Sequence, residues 1–324
     1  MPRAELGVIG LGRMGGGLAR LALEKNLRVA GFTLGRIPDE LITAGLQHIT
    51  DIAGFRNHLV PPRILLLYIP AGPEVDKTLD QLSGILEPGD IIVDGGNSYW
   101  GDSIQRHARL KTQGFDFVDL GTSGGVPGAL TGACFMAGGE THVVKAVEPI
   151  FRTLAVSNGF VHAGPPGAGH FVKLVHNGIE FGMLQAVAEG YQLLLHYHKR
   201  LEISSVLECW RHGSVIRSWL VDLLAQACRQ DPTLGKASTY IEDTGEVNWL
   251  ISDALRMEVP IPVIAQSVME LFASRDGKHD WAKAIVAMRH GFGGHPMGRD
   301  EAVARERRQG RVGDIFQPAA GGKD

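Results

Sequence analysis

Lys173, Asn177 and Glu180 are spaced i, i+4 and i+7 in the run GAGHFVKLVHNGIEFG, so on a helix they share one face. Their neighbours Phe171, Val172, Leu174, Val175, Ile179 and Phe181 are apolar, which predicts a long, largely buried helix. A lysine and a glutamate turned towards protein are costly unless they are paired or used. The chemistry on offer is proton transfer between an amine, a carboxylate and a bound molecule. A structural Lys–Glu pair is the plainer reading of the same spacing. His170 and His176 crowd the same turns.

A second set sits at the start of the chain. Gly10-Leu11-Gly12-Arg13-Met14-Gly15 is a GxGxxG that follows an apolar run, LGVI, and opens a helix-like stretch. In a dinucleotide turn the first glycine permits the tight bend and the second lets the backbone approach a pyrophosphate. The third permits close helix–strand packing, and the phosphates sit on the helix N-terminus. Gly10, Gly12, Arg13, Met14 and Gly15 are therefore the expected cofactor contacts. An NAD site commonly carries an acid at the end of the second strand for the ribose hydroxyls. Here that strand ends in Gly31-Phe32-Thr33-Leu34-Gly35-Arg36, with Thr33 in the acid's place and Arg36 near it. A hydroxyl beside a guanidinium suits a 2′-phosphate better than a bare diol, so the cofactor is NADP or NAD, with NADP favoured. Two further loops end strands where ligands bind in this architecture. They are Asp94-Gly95-Gly96-Asn97-Ser98 and Thr122-Ser123-Gly124-Gly125, which offer neutral side chains and glycine backbone N–H groups.

The elements that must position these residues follow from the apolar pattern. LGVIGLG, LRVAGFTLG, RILLLYIP, DIIVDGG and FDFVDLG are short β-rich runs separated by helical intervals. That alternation predicts an α/β domain with a Rossmann-type, doubly wound parallel sheet over residues 1–163. From residue 164 only helical texture follows, in SSVLECWRHG, SVIRSWLVDLLAQACRQ, VNWLISDALRM, IPVIAQSVMELFASR and HDWAKAIVAMRHGF. An all-α domain is expected over residues 164–298, and a charged, partly mobile tail over residues 299–324.

Composition narrows the function classes. The chain has 324 residues, 44% hydrophobic and 21% charged, with a net charge of −3. That balance belongs to a soluble protein of two domains without a basic surface for nucleic acid. Cys134, Cys209 and Cys228 make no paired motif, and no secretory leader or membrane-length apolar run is present, so a reduced, cytoplasmic setting is expected. His196 and His198 lie two apart on a helix, and neither HExxH nor GxSxG occurs, so no metal site and no serine nucleophile are expected.

The segments DGGNS (94–98), TSGGVPGALTGACFMAGG (122–139) and GAGHFVKLVHNGIEFG (167–182) resemble the decarboxylating 6-phosphogluconate dehydrogenases. The chain length and RHGFGGH (289–295) are similar to the short form of that family, and the resemblance runs over roughly residues 6–297. The related 3-hydroxyisobutyrate dehydrogenases share the glycine turn, but Lys173-Leu174-Val175-His176-Asn177 has a histidine that favours the 6-phosphogluconate side.

The resemblance implies that Lys173 takes the proton of the C3 hydroxyl as hydride leaves for NAD(P). The 3-keto acid then loses CO₂ without a metal, and Glu180 protonates C1 of the enediol to release a ketopentose (ribulose 5-phosphate). A lysine base needs a lowered pKa, for which burial on this helix is a reason. Asn97, Ser123, Gly124, Gly125, His176 and Asn177 would hold the sugar acid, Asn177 in the catalytic group. Arg289 and His295 would come from a neighbouring subunit, making a homodimer or homotetramer with a shared active site.

Three positions depart from the family pattern. Phe181 replaces a tyrosine, Thr244 in DTGEVNW stands at a lysine, and Leu271 in SVMELFAS stands at an arginine. A phosphate dianion that loses charged ligands binds weakly. The alternative substrate is a non-phosphorylated or otherwise C6-substituted aldonate, or another 3-hydroxy acid. The remote alternative is a non-catalytic dinucleotide-binding protein.

Overall fold

The computed structural model describes residues 2–309. Its sheet is built from eight strands: β1 (Leu6–Ile9), β2 (Val29–Phe32), β3 (Gln47–His48), β4 (Ile64–Leu67), β5 (Ile91–Asp94), β6 (Asp116–Ser123), β7 (Ala133–Gly138) and β8 (Ala155–Gly164). They lie in the order β3-β2-β1-β4-β5-β6-β7-β8. All pairings are parallel except β6 with β7, which run antiparallel.

Successive residues of the central strands point to opposite faces, and both faces are buried. Leu66, Ile91, Val93, Val118 and Leu120 pack under α1 (Arg13–Glu24) and α7 (Thr141–Leu154). Leu65, Leu67, Ile92 and Phe117 pack under α4 (Pro73–Ser83) and α5 (Trp100–Thr112). The short apolar runs of the sequence are thus central strands covered twice. Five of the eight strands correspond to those runs. β3, β7 and β8 carry no run of the same strength: β3 has two residues, and β8 is exposed over Val156–Asn158.

The helices that follow are α8 (Ala168–Leu195), α9 (Ile203–Arg211), α10 (Trp219–Gln230), α11 (Glu246–Arg256), α12 (Pro262–Ala273), α13 (Asp280–Gly293) and α14 (Glu301–Gln309). In SVIRSWLVDLLAQACRQ the helix begins only at Trp219, because Ser218 is its N-cap and accepts from the Val221 N–H. The first part of the expected tail is α14, and residues 310–324 lie outside the described residues.

The chain forms two compact units. One runs to Gly178 and takes in Gly245–Asp253; the other comprises Ile179–Thr244 and the chain from Ala254 onward. The apolar run predicts that helix α8 is largely buried, and the structure bears this out for part of it. In its first part Gly169, His170, Leu174 and Asn177 are buried, whereas Ile179, Met183, Leu184, Leu193 and Leu195 beyond it are each at least 42% exposed. The apolar run therefore encodes a core-facing half and a half that this single chain leaves open.

Candidate active site

The glycine turn lies between β1 and α1. Gly10 has φ +91°, and a Cβ there would collide with the Tyr68 carbonyl, so the bend requires glycine. A Cβ on Gly15 would strike the Gly10 carbonyl, whereas Gly12, the N-cap of α1, has open space around it. Gly12 and Arg13 are exposed and Met14 is half-buried. A cavity of about 1030 Å³ adjoins the turn, lined among others by Gly10, Gly12, Thr33, Thr50, Tyr68 and Lys77. An open cradle on a helix N-terminus with a cavity of this size fits a dinucleotide. Thr33 lines that cavity, whereas Arg36 is not among its lining residues and pairs with Asp39 at 2.6 Å, each side chain more than 80% exposed.

Several of the candidate side chains converge on the first half of α8. Asp119 on β6 is fully buried and accepts the backbone N–H groups of Gly167 (2.7 Å) and His170 (2.8 Å). A carboxylate on the free N–H groups of a helix N-terminus pins α8 to the sheet. Lys173 is half-buried one turn later, against Gly121 of β6. Its Nζ lies 3.5 Å from His176 Nδ1. His176 Nε2 lies 3.0 Å from Ser123 Oγ at the end of β6, and His176 Nδ1 lies 3.2 Å from Asn177 Oδ1. Gly124 (φ +120°) and Gly125 (φ +60°) turn the chain from β6 into α6 (Gly125–Thr131).

The loop after β5 closes the group. Asp94 is fully buried; its carboxylate accepts from Ser98 Oγ (2.7 Å) and the Gly96 N–H (3.1 Å), and this turn projects Asn97. Asn97 Nδ2 donates to Glu246 Oε1 at 2.6 Å, and Asn177 Nδ2 reaches the same oxygen at 3.4 Å. Asn97, Ser123, Lys173, His176, Asn177 and Glu246 all belong to the first compact unit. Beside them, the Tyr68 hydroxyl and Thr122 Oγ1 are 2.6 Å apart, and burial pushes the Tyr68 phenol well above its ordinary pKa.

Glu246 did not emerge from the sequence. It stands 149 positions from Asn97 and opens α11, inside the otherwise helical half of the chain. The Glu246–Asp253 part of α11 belongs to the first unit, where Asp253, buried, accepts from Tyr99 Oη (2.9 Å) and Trp100 Nε1 (2.7 Å). Trp249 meets Tyr99 edge-on at 5.6 Å. Positions 246, 249, 250 and 253 share one helix face, which is what docks. An acid after a glycine at a helix start was the available signal, and it reads equally well as a solvated first-turn residue.

Glu180 lies on α8 in the second compact unit, half-buried, with Phe181 beside it in the chain. Arg289 is exposed on α13 and His295 is half-buried just after it, in that same unit. Leu271 is buried on α12 and Thr244 is exposed. Four residues beyond Leu271 stands Arg275, which pairs with Asp243 at 2.5 Å and donates to the Ile241 carbonyl at 2.6 Å. Among the described residues no three His, Cys, Asp or Glu side chains are grouped to hold a metal ion.

Comparison with known proteins places the chain in a family. Residues 5–164 match the family model of the NAD binding domain of 6-phosphogluconate dehydrogenase, and residues 169–306 match that of its C-terminal domain. A Haloferax volcanii protein named NAD(+)-dependent, decarboxylating 6-phosphogluconate dehydrogenase is 36% identical over 92% of this chain and 99% of its own. A Bacillus subtilis protein of the same name is 35% identical over 83% of this chain and 61% of its own. The Plasmodium falciparum 6-phosphogluconate dehydrogenase, solved in apo form, with NADP+ and with 6-phosphogluconate, superposes with TM-score 0.78 at 26% identity. That match covers 91% of this chain and 66% of the other. A Mycobacterium tuberculosis 3-hydroxyisobutyrate dehydrogenase shares the fold at TM-score 0.69 and 18% identity, over 85% of this chain and 94% of its own. A glycine turn on a doubly wound sheet, a lysine–histidine–asparagine helix and these matches lead to one conclusion: the chain belongs to the 6-phosphogluconate dehydrogenase family.

Proposed function

We propose that this chain oxidatively decarboxylates 6-phosphogluconate to ribulose 5-phosphate and CO₂, with hydride transfer to NAD(P). The observation that carries the reading is the cluster of Lys173, His176 and Asn177 on α8 against Ser123 and Asn97 at two strand ends. The dinucleotide, when bound, supplies the hydride acceptor. Lys173 accepts the C3 hydroxyl proton as the C3 hydride departs, which leaves a 3-keto acid. Loss of CO₂ from C1 places the electron pair in an enediol, with the C3 ketone as its sink. Glu180 returns a proton to carbon, and the ketopentose leaves. Asn97, Ser123, Gly124, Gly125, His176 and Asn177 hold the hydroxyls and carboxylate with neutral donors and acceptors.

Gly10, Gly12, Arg13, Met14 and Gly15 cradle the pyrophosphate in this reading. Either dinucleotide fits beyond it: Thr33 replaces the ribose-binding acid, while Arg36 reaches a 2′-phosphate only by exchanging Asp39 for it. Residues 1–163 carry the cofactor, and residues 164–298 complete the substrate pocket and the subunit interface. Support for a homodimer or homotetramer comes from apolar side chains left open in the second unit: Leu255 is 76%, Val263 69% and Trp281 63% exposed. Arg289 and His295 then serve a neighbouring site. No helix among the described residues is long and apolar enough to cross a membrane, consistent with a cytoplasmic enzyme.

A second reading changes only the substrate, to an aldonate without the 6-phosphate or with another C6 group. It is favoured by Phe181 without a hydroxyl, by buried Leu271, and by Arg275 already neutralised by Asp243. One experiment separates the two. Purified protein is given NADP or NAD with 6-phosphogluconate or gluconate, and reduced cofactor and CO₂ are measured. Equal yields of both from 6-phosphogluconate are expected, and Lys173→Ala should abolish them. A higher kcat/KM on gluconate selects the second reading, and no turnover of any aldonate refutes both. In the same assay Thr33→Asp should move cofactor preference towards NAD.

A further inference from the structure

The geometry points to Glu246 as a positioning residue that sets, through Asn177, which ring nitrogen of His176 carries the proton. The inference rests on the reading of this cluster as the sugar-acid site. An ionised carboxylate only accepts hydrogen bonds. With Asn97 Nδ2 at 2.6 Å and Asn177 Nδ2 at 3.4 Å from one oxygen of Glu246, both amides must turn their N–H₂ ends towards it. Neither asparagine can flip without setting a carbonyl oxygen against a carboxylate oxygen. Asn177 Oδ1 is thereby fixed facing His176 Nδ1 at 3.2 Å, and an oxygen in that place needs a donor. His176 therefore carries its hydrogen on Nδ1. Its Nε2 is then an acceptor and takes the hydroxyl hydrogen of Ser123 across 3.0 Å.

This relay has consequences at the substrate. The Ser123 hydroxyl, having donated to His176, presents lone pairs and receives a substrate hydroxyl. Asn97 and Asn177 present one remaining N–H each. Lys173 Nζ lies 3.5 Å from His176 Nδ1, and with that nitrogen's hydrogen directed at Asn177 the amine's lone pair is kept for the C3 hydroxyl proton. Without Glu246 the Asn177 amide is free to rotate, and the ordered sequence of donors and acceptors from Asn97 to Ser123 loses its fixed end.

Ring-nitrogen NMR of the full-length ¹⁵N-labelled protein tests this, with His176→Gln identifying the resonances. The expected spectrum has Nδ1 protonated and Nε2 unprotonated in the wild type and in Glu246→Gln, whose amide oxygen still accepts. In Glu246→Ala that pattern should be lost, and kcat/KM for the sugar acid should fall about tenfold or more while KM for the dinucleotide is unchanged. Protonated Nε2 in the wild type, an unchanged Glu246→Ala spectrum, or loss of the pattern in Glu246→Gln overturns the inference. The NMR measurement needs no substrate. A chain with the expected spectra that turns over no aldonate would refute the reaction and leave the tautomer assignment standing.

Discussion

Gly121→Ala tests whether the position of Lys173 depends on how closely α8 lies on β6. A Cβ at residue 121 would stand 2.5 Å from Lys173 Cβ and 2.8 Å from the Gly169 carbonyl oxygen, with Lys173 Cγ at 3.2 Å. Ordinary contacts begin near 3.4 Å, so helix and strand must part by about 0.9 Å. The obstruction is backbone and a Cβ, neither of which rotates away. Overpacking of this kind costs about 1–3 kcal/mol, and a reacting group misplaced by about 1 Å costs about a hundredfold in rate. Helix α8 cannot tilt freely to absorb the shift, because buried Asp119 holds its N-terminus by two backbone N–H groups. The assay pairs a thermal melt with steady-state kinetics and includes Gly84→Ala, where the nearest atom is an ordinary 3.5 Å away. Gly121→Ala should lower kcat about a hundredfold, lower the melting temperature by several degrees and leave KM for the dinucleotide unchanged. Gly84→Ala should be close to neutral. Wild-type kcat in Gly121→Ala would show that activity tolerates displacement of Lys173, and would refute both its proposed role as base and the dependence of that role on close packing.

Two other perturbations address the supports of the site. Asp253→Ala removes the carboxylate that accepts from the Tyr99 hydroxyl and the Trp100 indole N–H at 2.9 and 2.7 Å. The loss is about 2–4 kcal/mol, and KM for the sugar acid should rise because α11 carries Glu246; an unchanged melt and KM would contradict this docking. Asp76 is held below its ordinary carboxylate pKa first by the hydrogen bond from Arg106, then by the charges of Arg106 and Arg109. A depressed folded pKa stabilises above the unfolded value of 3.8 and is lost as pH falls through the folded one. Melting temperatures of wild type and Asp76→Asn should therefore differ most above pH 4 and converge in stronger acid; a difference that grows in acid would reverse the sign.

Much of this organisation is legible in the chain. The GxGxxG after LGVI, the apolar runs of the buried parallel strands and the spacing of Lys173, Asn177 and Glu180 all depend on local pattern, and local pattern is what a sequence displays. β7 and β8 were hidden for a physical reason: ACFMAG and AVSNGFVHAG are rich in small or polar residues, and their pairing is set by neighbours rather than by their own alternation. Glu246 was hidden because its meaning depends on partners 69 and 149 residues away. Arg36 is visible in the sequence, whereas its pairing with Asp39 is set by the fold, and that carboxylate competes with a 2′-phosphate for the guanidinium. The apolar run predicts burial along all of α8, because an apolar pattern does not distinguish a core within one chain from a face open in that chain.

The seating of Lys173 on α8 also explains why small residues crowd the sequence around it. A Cβ on Gly169 would strike the carbonyls of Asp119 and Met136, and one on Gly138 would stand 2.5 Å from the Gly169 nitrogen. Helix and sheet meet there backbone to backbone, with no side chain between them whose rotation could let the helix drift. Asp119, the acceptor for the first turn, lies under that contact and is sealed from water. Lys173 and Asn177 follow on the next two turns, so their positions derive from a glycine contact and a buried carboxylate rather than from a loop. Reacting groups must be held to a fraction of an ångström to be useful. A helix seated in this way supplies that tolerance, and the strand-end loops at Asn97 and Ser123 need only meet it.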